Sequence, residues 1–224
     1  MYRWPKYLIN KNFTGFSGFQ NGSMEMAEIS AVMVKDLRAK TGAGIMDCKQ
    51  ALAETDGDLE KAVDFLRKKG LASAAKKSGR STSEGRVTSY IHTGGRIGVL
   101  VEINCETDFV ANTDDFIEFG KNIAMHIAAA SPVALQAEDV SADLLNRERE
   151  IYKAQILEEG KPANMVDKIV EGKINKFLKE CCLLSQPYIR DPQKSISDIL
   201  TDTIARIGEN IQIRRFTRFQ VGGE

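Results

Sequence analysis

The chain has 224 residues, 42% hydrophobic and 28% charged, a composition that suits a water-soluble globular protein long enough to bury a core in one or two domains. Its 31 lysines and arginines equal its 31 aspartates and glutamates, which argues against a protein that lives on the phosphate backbone of nucleic acid. No apolar run approaches the roughly 20 residues of a membrane span, four cysteines without a C-x-x-C spacing suit a reducing compartment, and two histidines exclude a histidine-rich metal site.

Residues 1–23 stand apart. They hold Tyr2, Trp4, Tyr7, Phe13, Phe16 and Phe19 with three basic residues and no acid, and the first carboxylate is Glu25. Such a basic, acid-poor stretch is compatible with a targeting peptide, but it lacks arginine richness and an apolar h-region. Residues 1–25 are therefore read as an upstream or disordered extension, with the natural start at Met24 or Met26.

The pattern then turns helical. Ser30 suits an N-cap, and Met33, Val34 and Leu37 share a face until Thr41-Gly42-Ala43-Gly44 breaks the run. A second helix is expected from Ile45 to Ala53, with Ile45, Cys48 and Leu52 on one side. Asp58 caps a third, with Leu59, Ala62, Val63 and Leu66 inward and Gly70 as the stop. Three short helices bury little alone, so this head (26–72) should dock on the rest of the chain or on a partner.

Residues 73–86 are small, polar and basic, and read as a linker with a helical start. Val87–Thr93 and Ile97–Cys105 around Gly94-Gly95 read as a hairpin. Phe116, Phe119, Ile123 and Ile127 mark an amphipathic helix after it. A charged helical stretch over Ser141–Gly160 precedes a helix opening near Pro162. Ser195 with Asp198 then caps a helix to Ile207. The last strand, Ile211 to Val221, alternates Ile211, Ile213, Phe216 and Phe219 against Gln212, Arg214, Arg215 and Arg218. The fold class is α+β: an N-terminal three-helix domain, then a core (87–224) in which an antiparallel sheet is covered by helices on one face.

No catalytic constellation emerges. Gly42-Ala-Gly44 follows a helix rather than a strand, which disqualifies it as a dinucleotide loop, and Lys77-Ser78 and Lys194-Ser195 lack the glycine cradle of a phosphate loop. His92 and His126 have no nucleophile motif beside them and read as hydrogen-bonded structural residues. The run from Arg67 to Arg86, seven cations and one acid, reads as a solvated linker.

Two stretches are more specific: Leu37-Arg-x-x-Thr41-Gly-Ala-Gly-x-Met46-Asp-Cys-Lys49-x-Ala-Leu52, and Glu102-Ile-Asn-Cys-Glu106-Thr-Asp-Phe-Val-Ala-Asn112. The second sets an acid and a large aromatic just past a strand end, where Phe109 either packs into the core or forms a protein-binding tip. Both stretches resemble the two signature motifs of the translation elongation factor Ts family. The resemblance runs from Ala27-Glu-Ile-Ser to the closing Gly208-Glu-Asn-Ile-x-Ile-x-Arg-Phe-x-Arg-Phe.

That resemblance implies a guanine-nucleotide exchange factor without covalent chemistry, cofactor or metal of its own, whose partner is elongation factor Tu. The head would be a ubiquitin-associated-like domain gripping the partner's nucleotide-binding domain through Arg38, Ile45, Met46 and Lys49. Thr107, Asp108, Phe109 and Val110 would form the element that dislocates magnesium, with Phe109 as a wedge and Asp108 fixing the tip. Position 45 departs mildly from the family, which commonly has methionine there. The chain resembles the shorter class of the family, for which a homodimer is expected. The implied location is cytoplasmic, with plastid stroma or mitochondrial matrix as alternatives. The competing reading is a ubiquitin-associated-type scaffold or chaperone component without exchange activity.

Overall fold

The computed structural model describes residues 29–223. The extension expected over 1–25, the first residues of the head and Glu224 lie outside the described residues. Helix α1 (Ala31–Thr41) starts where the Ser30 hydroxyl accepts the Met33 N–H, and ends where Gly42 turns left-handed at φ 68°. Helices α2 (Ile45–Glu54) and α3 (Leu59–Lys77) follow, α3 opening on Asp58, whose carboxylate accepts the N–H groups of Glu60 and Lys61. Val34, Leu37, Cys48, Ala51, Leu52 and Ala62 close a small core among them. Ile45, expected on that face, lies at its margin and is 51% exposed, because no earlier turn of α2 covers it.

Gly70 does not stop the third helix. Helix α3 runs through it to Lys77 and takes in residues expected to form a linker. Leu71, Ala72, Ala74 and Ala75 are good helix formers, and a glycine ends a helix only when the chain needs a left-handed residue there. Residues 78–83 alone separate α3 from the first strand. They are mostly exposed yet tethered: the buried Asn210 amide donates to Ser78 O and Arg80 O at 3.4 and 2.8 Å.

Strands β1 (Glu84–Ile91) and β2 (Ile97–Cys105) form the expected hairpin, with Gly94 and Gly95 at φ 88° and 68° in its turn. The chain continues through a four-residue helical turn α4 (Asp108–Ala111) into α5 (Asp114–Ala130). Helices α6 (Ala142–Glu158) and α7 (Ala163–Cys181) make a hairpin closed by Ile156, Val166, Val170 and Ile174. All four cysteines are buried and free. A short ladder, β3 (Pro187–Tyr188) with β4 (Asp191–Ser195), leads to α8 (Ile196–Ile207), which opens on the Ser195/Asp198 capping box. Strand β5 (Ile211–Gln220) then pairs antiparallel with the free edge of β2, giving the order β1-β2-β5.

The main core lies between one face of this sheet and helices α5 and α8. Val99, Val101, Ile103, Ile211 and Ile213 meet Phe116, Phe119, Ile123, Ile127 and Ile204 there. Among the described residues, no helix is long and apolar enough to cross a membrane. The head docks on the core through α3 and α8. A Cβ at Gly70 would stand 3.4 Å from Ala205 Cβ, so the glycine inside α3 permits a close helix approach, and Arg67 reaches Asp198 at 3.1 Å beside it.

The last strand corrects one expectation. Ile103 pairs with Ile213 but Glu102 pairs with Arg215, so Arg214 is an extra residue in a bulge. Because side chains alternate with period two, one inserted residue exchanges the faces beyond it. The exchange is what turns Phe216 inward, and it leaves Phe219 facing out at 68% exposure while Arg218 takes an inward place where its Nε donates to Ala128 O at 3.2 Å.

Two stability predictions follow from this packing. At Gly85, φ is +147° and a Cβ would fall 2.2 Å from Ile103 O, whereas Gly79 has open space around it. Gly85→Ala should lose about 2–4 kcal/mol in urea unfolding, and Gly79→Ala should stay within about 0.5 kcal/mol of the parent. The second concerns His126. It is fully buried, with Nε2 3.0 Å from Gln186 Oε1 and Nδ1 accepting the Ile189 N–H at 3.4 Å, and burial holds its pKa below the ordinary 6.5. The neutral ring is favoured in the folded state, so its contribution is full above about pH 6.5 and declines as pH falls below that value. Urea midpoints measured from about pH 7.5 down to about 5.5 should fall, and His126→Gln should flatten that part of the slope.

Candidate functional site

The chain passes from β2 into α4 at Cys105, and this junction builds the most unusual surface of the molecule. Thr107 caps α4: its hydroxyl accepts the Val110 N–H at 3.3 Å. Asp108 is exposed and its carbonyl accepts the Asn112 side-chain N–H at 2.8 Å. Phe109 is 78% exposed, while Val110 and Ala111 beside it are 7% and 4% exposed and belong to the main core. The turn is therefore pinned by its second half and presents an aromatic ring from its first. Of the two readings left open for Phe109, packing into the core falls: the ring projects from the turn, and Val110 is the turn's anchor.

The base of the tip is tied to the start of β5 by two carboxylates that exchange backbone donors. Glu209 Oε2 accepts the N–H groups of Glu106 and Thr107, each at 3.1 Å, and Oε1 accepts the Thr107 hydroxyl at 2.7 Å. In return Glu106 Oε1 accepts the Asn210 N–H at 2.6 Å and Arg80 at 3.3 Å. The Asn210 N–H, followed by the Arg80 cation, holds the Glu106 carboxyl below the usual carboxylate range. Between them Cys105 is buried and pushed up to about 11, first by desolvation and then by the Glu209 charge, so it is an inert thiol that donates to Thr107 O at 3.1 Å. On the far side Arg86 reaches Ala111 O and Asn112 Oδ1, each at 3.4 Å.

The head offers a second exposed surface. Around α2, Cys48, Ala51 and Leu52 face the head core, and Asp47 and Gln50 take the Lys69 ammonium of α3 at 2.7 Å each. The third side carries Ile45, Met46 and Lys49, all exposed, Met46 at 75%. Arg38, also exposed, lies in the last turn of α1, across the short turn from Ile45. Sequence reasoning named the residues that show on these two surfaces. It gave no role to Glu209 and Asn210, which stood in the polar turn that opens the closing Gly208-Glu-Asn210 stretch, or to Arg80, which stood in the basic run from Arg67 to Arg86.

No group of three His, Cys, Asp or Glu side chains gathers for a metal among the described residues. His92 bonds Tyr90 and His126 bonds Gln186, so both histidines have structural partners.

Comparison with known proteins identifies the family. The family model described as Elongation factor TS matches residues 75–223. Elongation factor Ts of Desulfosudis oleivorans is 65% identical over 197 residues, 88% of this chain and 100% of the relative. The Thermoanaerobacter sp. (strain X514) protein of the same name is 65% identical over 87% of this chain and 95% of its own. That of Geobacter sulfurreducens is 60% identical over 87% and 90%. A family model spanning the core and relatives spanning head and core together lead to one conclusion: the chain belongs to the elongation factor Ts family.

Proposed function

We propose that this chain accelerates GDP release from elongation factor Tu by gripping the partner's nucleotide-binding domain with the head and driving Phe109 into it near the magnesium site. Family membership supports exchange activity and protein synthesis as its setting, and the bacterial origin of the relatives supports a bacterial cytoplasm. The observation that carries the mechanism is Phe109, 78% exposed on a turn whose other half is buried. A phenylalanine held out on a fixed turn serves no packing of its own chain and suits a pocket on another.

The division of labour follows the division into head, connector and core. Arg38, Ile45, Met46 and Lys49 make the head contact. Thr107 and Val110 hold the tip, Phe109 wedges between elements of the partner, and Asp108 makes polar contacts beside it, so that the partner's phosphate loop and magnesium ligands shift. No acid, base or metal on this chain is needed. What is needed is binding energy that favours the nucleotide-free partner over the GDP form, and the coupling is reciprocal. A hundredfold mutual effect corresponds to about 2.7 kcal/mol, within reach of one packed aromatic and a few polar contacts. The scaffold reading accounts for the head alone and leaves the tip without a purpose.

The assembly is part of the same proposal. Antiparallel sheets usually turn a polar face to water, yet the outer face here shows Val87, Ile91, Leu100 and Phe219, with Val221 beside them. Two copies related by a twofold axis would cover these side chains with each other.

Stopped-flow release of fluorescent GDP from elongation factor Tu tests the exchange reading directly: the protein should give a large, saturable acceleration. Phe109→Ala should stay within about 0.5 kcal/mol of the parent in stability and lose about 30–100-fold in exchange. A variant that exchanges normally removes the wedge from the mechanism. For the assembly, light scattering at micromolar concentration should give twice the chain mass, and Phe219→Glu should give one. A monomeric parent refutes the dimer.

A further inference from the structure

We infer that Glu209 is a positioning residue for nucleotide exchange: its carboxylate fixes Thr107 and so holds the Phe109 tip in its presenting conformation. The inference rests on the reading of Phe109 as the wedge and adds the device that aims it.

The tip cannot aim itself. Helix α4 has four residues, too few to be stable by its own hydrogen bonds, and its largest side chain buries little within the chain. Val110 and Ala111 anchor its second half, which leaves the direction of its first half to Thr107. The Thr107 hydroxyl is held at both ends. It donates to Glu209 Oε1 at 2.7 Å and accepts the Val110 N–H at 3.3 Å, so it cannot rotate away from the cap while Glu209 is in place. The other Glu209 oxygen takes the two backbone N–H groups immediately before the turn, those of Glu106 and Thr107. One carboxylate thus satisfies three donors, an arrangement that neutral side chains match poorly because no neutral group accepts as strongly at two oxygens.

The position of Glu209 separates this role from support of the fold. It lies half-buried in the turn between α8 and β5, outside the apolar core, so removing its charge opens no cavity. The neighbouring Asn210 and Glu106 close the same junction by their own bond at 2.6 Å, which remains when Glu209 is changed. What is lost is the lock on Thr107. The tip then shares its time among conformations, and apparent affinity falls by the fraction that still presents the ring.

The test uses the full chain in GDP release from elongation factor Tu, with Glu209→Gln, Phe109→Ala and the double variant, and with Thr107→Val as an independent removal of the same bond. Glu209→Gln should raise the concentration for half-maximal release about tenfold while leaving the rate at saturation within about twofold. Thr107→Val should shift it in the same direction. In the Phe109→Ala background, Glu209→Gln should add less than about twofold, because it acts through that ring. Fluorine NMR of para-fluorophenylalanine placed at position 109 should change from one environment to several in Glu209→Gln, with the melting temperature nearly unchanged.

An unshifted half-saturation in Glu209→Gln, with Phe109→Ala inactive, overturns the positioning role and leaves the wedge standing. A full Glu209 effect that persists without Phe109 overturns it as well. Normal exchange by Phe109→Ala defeats the underlying reading, and the positioning role with it. Should Glu209→Gln fold poorly, Thr107→Val decides alone: no shift there overturns the proposal.

Discussion

Strand β2 is the only strand of the three-stranded sheet paired on both edges, and the tip grows from its end. Its last residue, Cys105, pairs with Glu84 on one side and Ile211 on the other, so the chain leaves the sheet from its most constrained position. Val99, Val101, Ile103 and Cys105 are at most 1% exposed, and α5 presses Phe116, Phe119, Ile123 and Ile127 onto that face. At Gly120 the approach is so close that a Cβ would meet Thr88 Oγ1 at 2.6 Å. A rigid sheet end and a rigid following helix leave only residues 106–113 to be organised, and polar bonds organise them.

This arrangement suits a protein whose work is to change another protein's affinity. Ordering a loop on binding would consume free energy that the exchange reaction needs for displacing a tightly held nucleotide. A tip already capped, anchored and tied across to β5 commits less of its contact energy to ordering itself. The ion pairs around it are partly exposed and contribute little to stability, Arg80–Glu106 among them with side chains 52% and 22% exposed. Their value is geometric: they restrict which way the turn can open.

Local chemistry was legible in the sequence, and long-range register was not. Ser30, Asp58 and the Ser195/Asp198 box announce helix starts because a cap acts within three residues. Gly94-Gly95 announces the hairpin for the same reason, since the turn needs positive φ. Gly70 misled because a glycine inside a helix and one at its end look alike until the helix it packs against is known. Phe219 misled because the bulge at Arg214, marked by the three-residue step from Ile213 to Phe216, restores a strict alternation beyond it, so that Phe216 and Arg218 face in and Phe219 faces out. The exposed residues of both motifs were named, but the residues that tie the turn to β5 were not. Glu209 acts on residues 102 and 103 positions away, and only the β2–β5 pairing brings them together.

The same logic explains why head and core are packed into one body. A Cβ at Gly42, in the turn before α2, would stand 3.5 Å from Arg206 Cδ, and Arg206 Nε lies 3.6 Å from Asp115 in the first turn of α5. A single α8 side chain therefore spans from the foot of the Ile45–Met46 surface to the helix that begins just after the Phe109 tip. When one surface engages a partner, the other is delivered at a high effective concentration, and the gain is largest when the spacing is fixed rather than left to a flexible linker. A solvated linker over 73–86 would have let the two surfaces bind independently. The continuous α3, seated on α8 through Gly70 and Ala205, makes their separation a property of the fold.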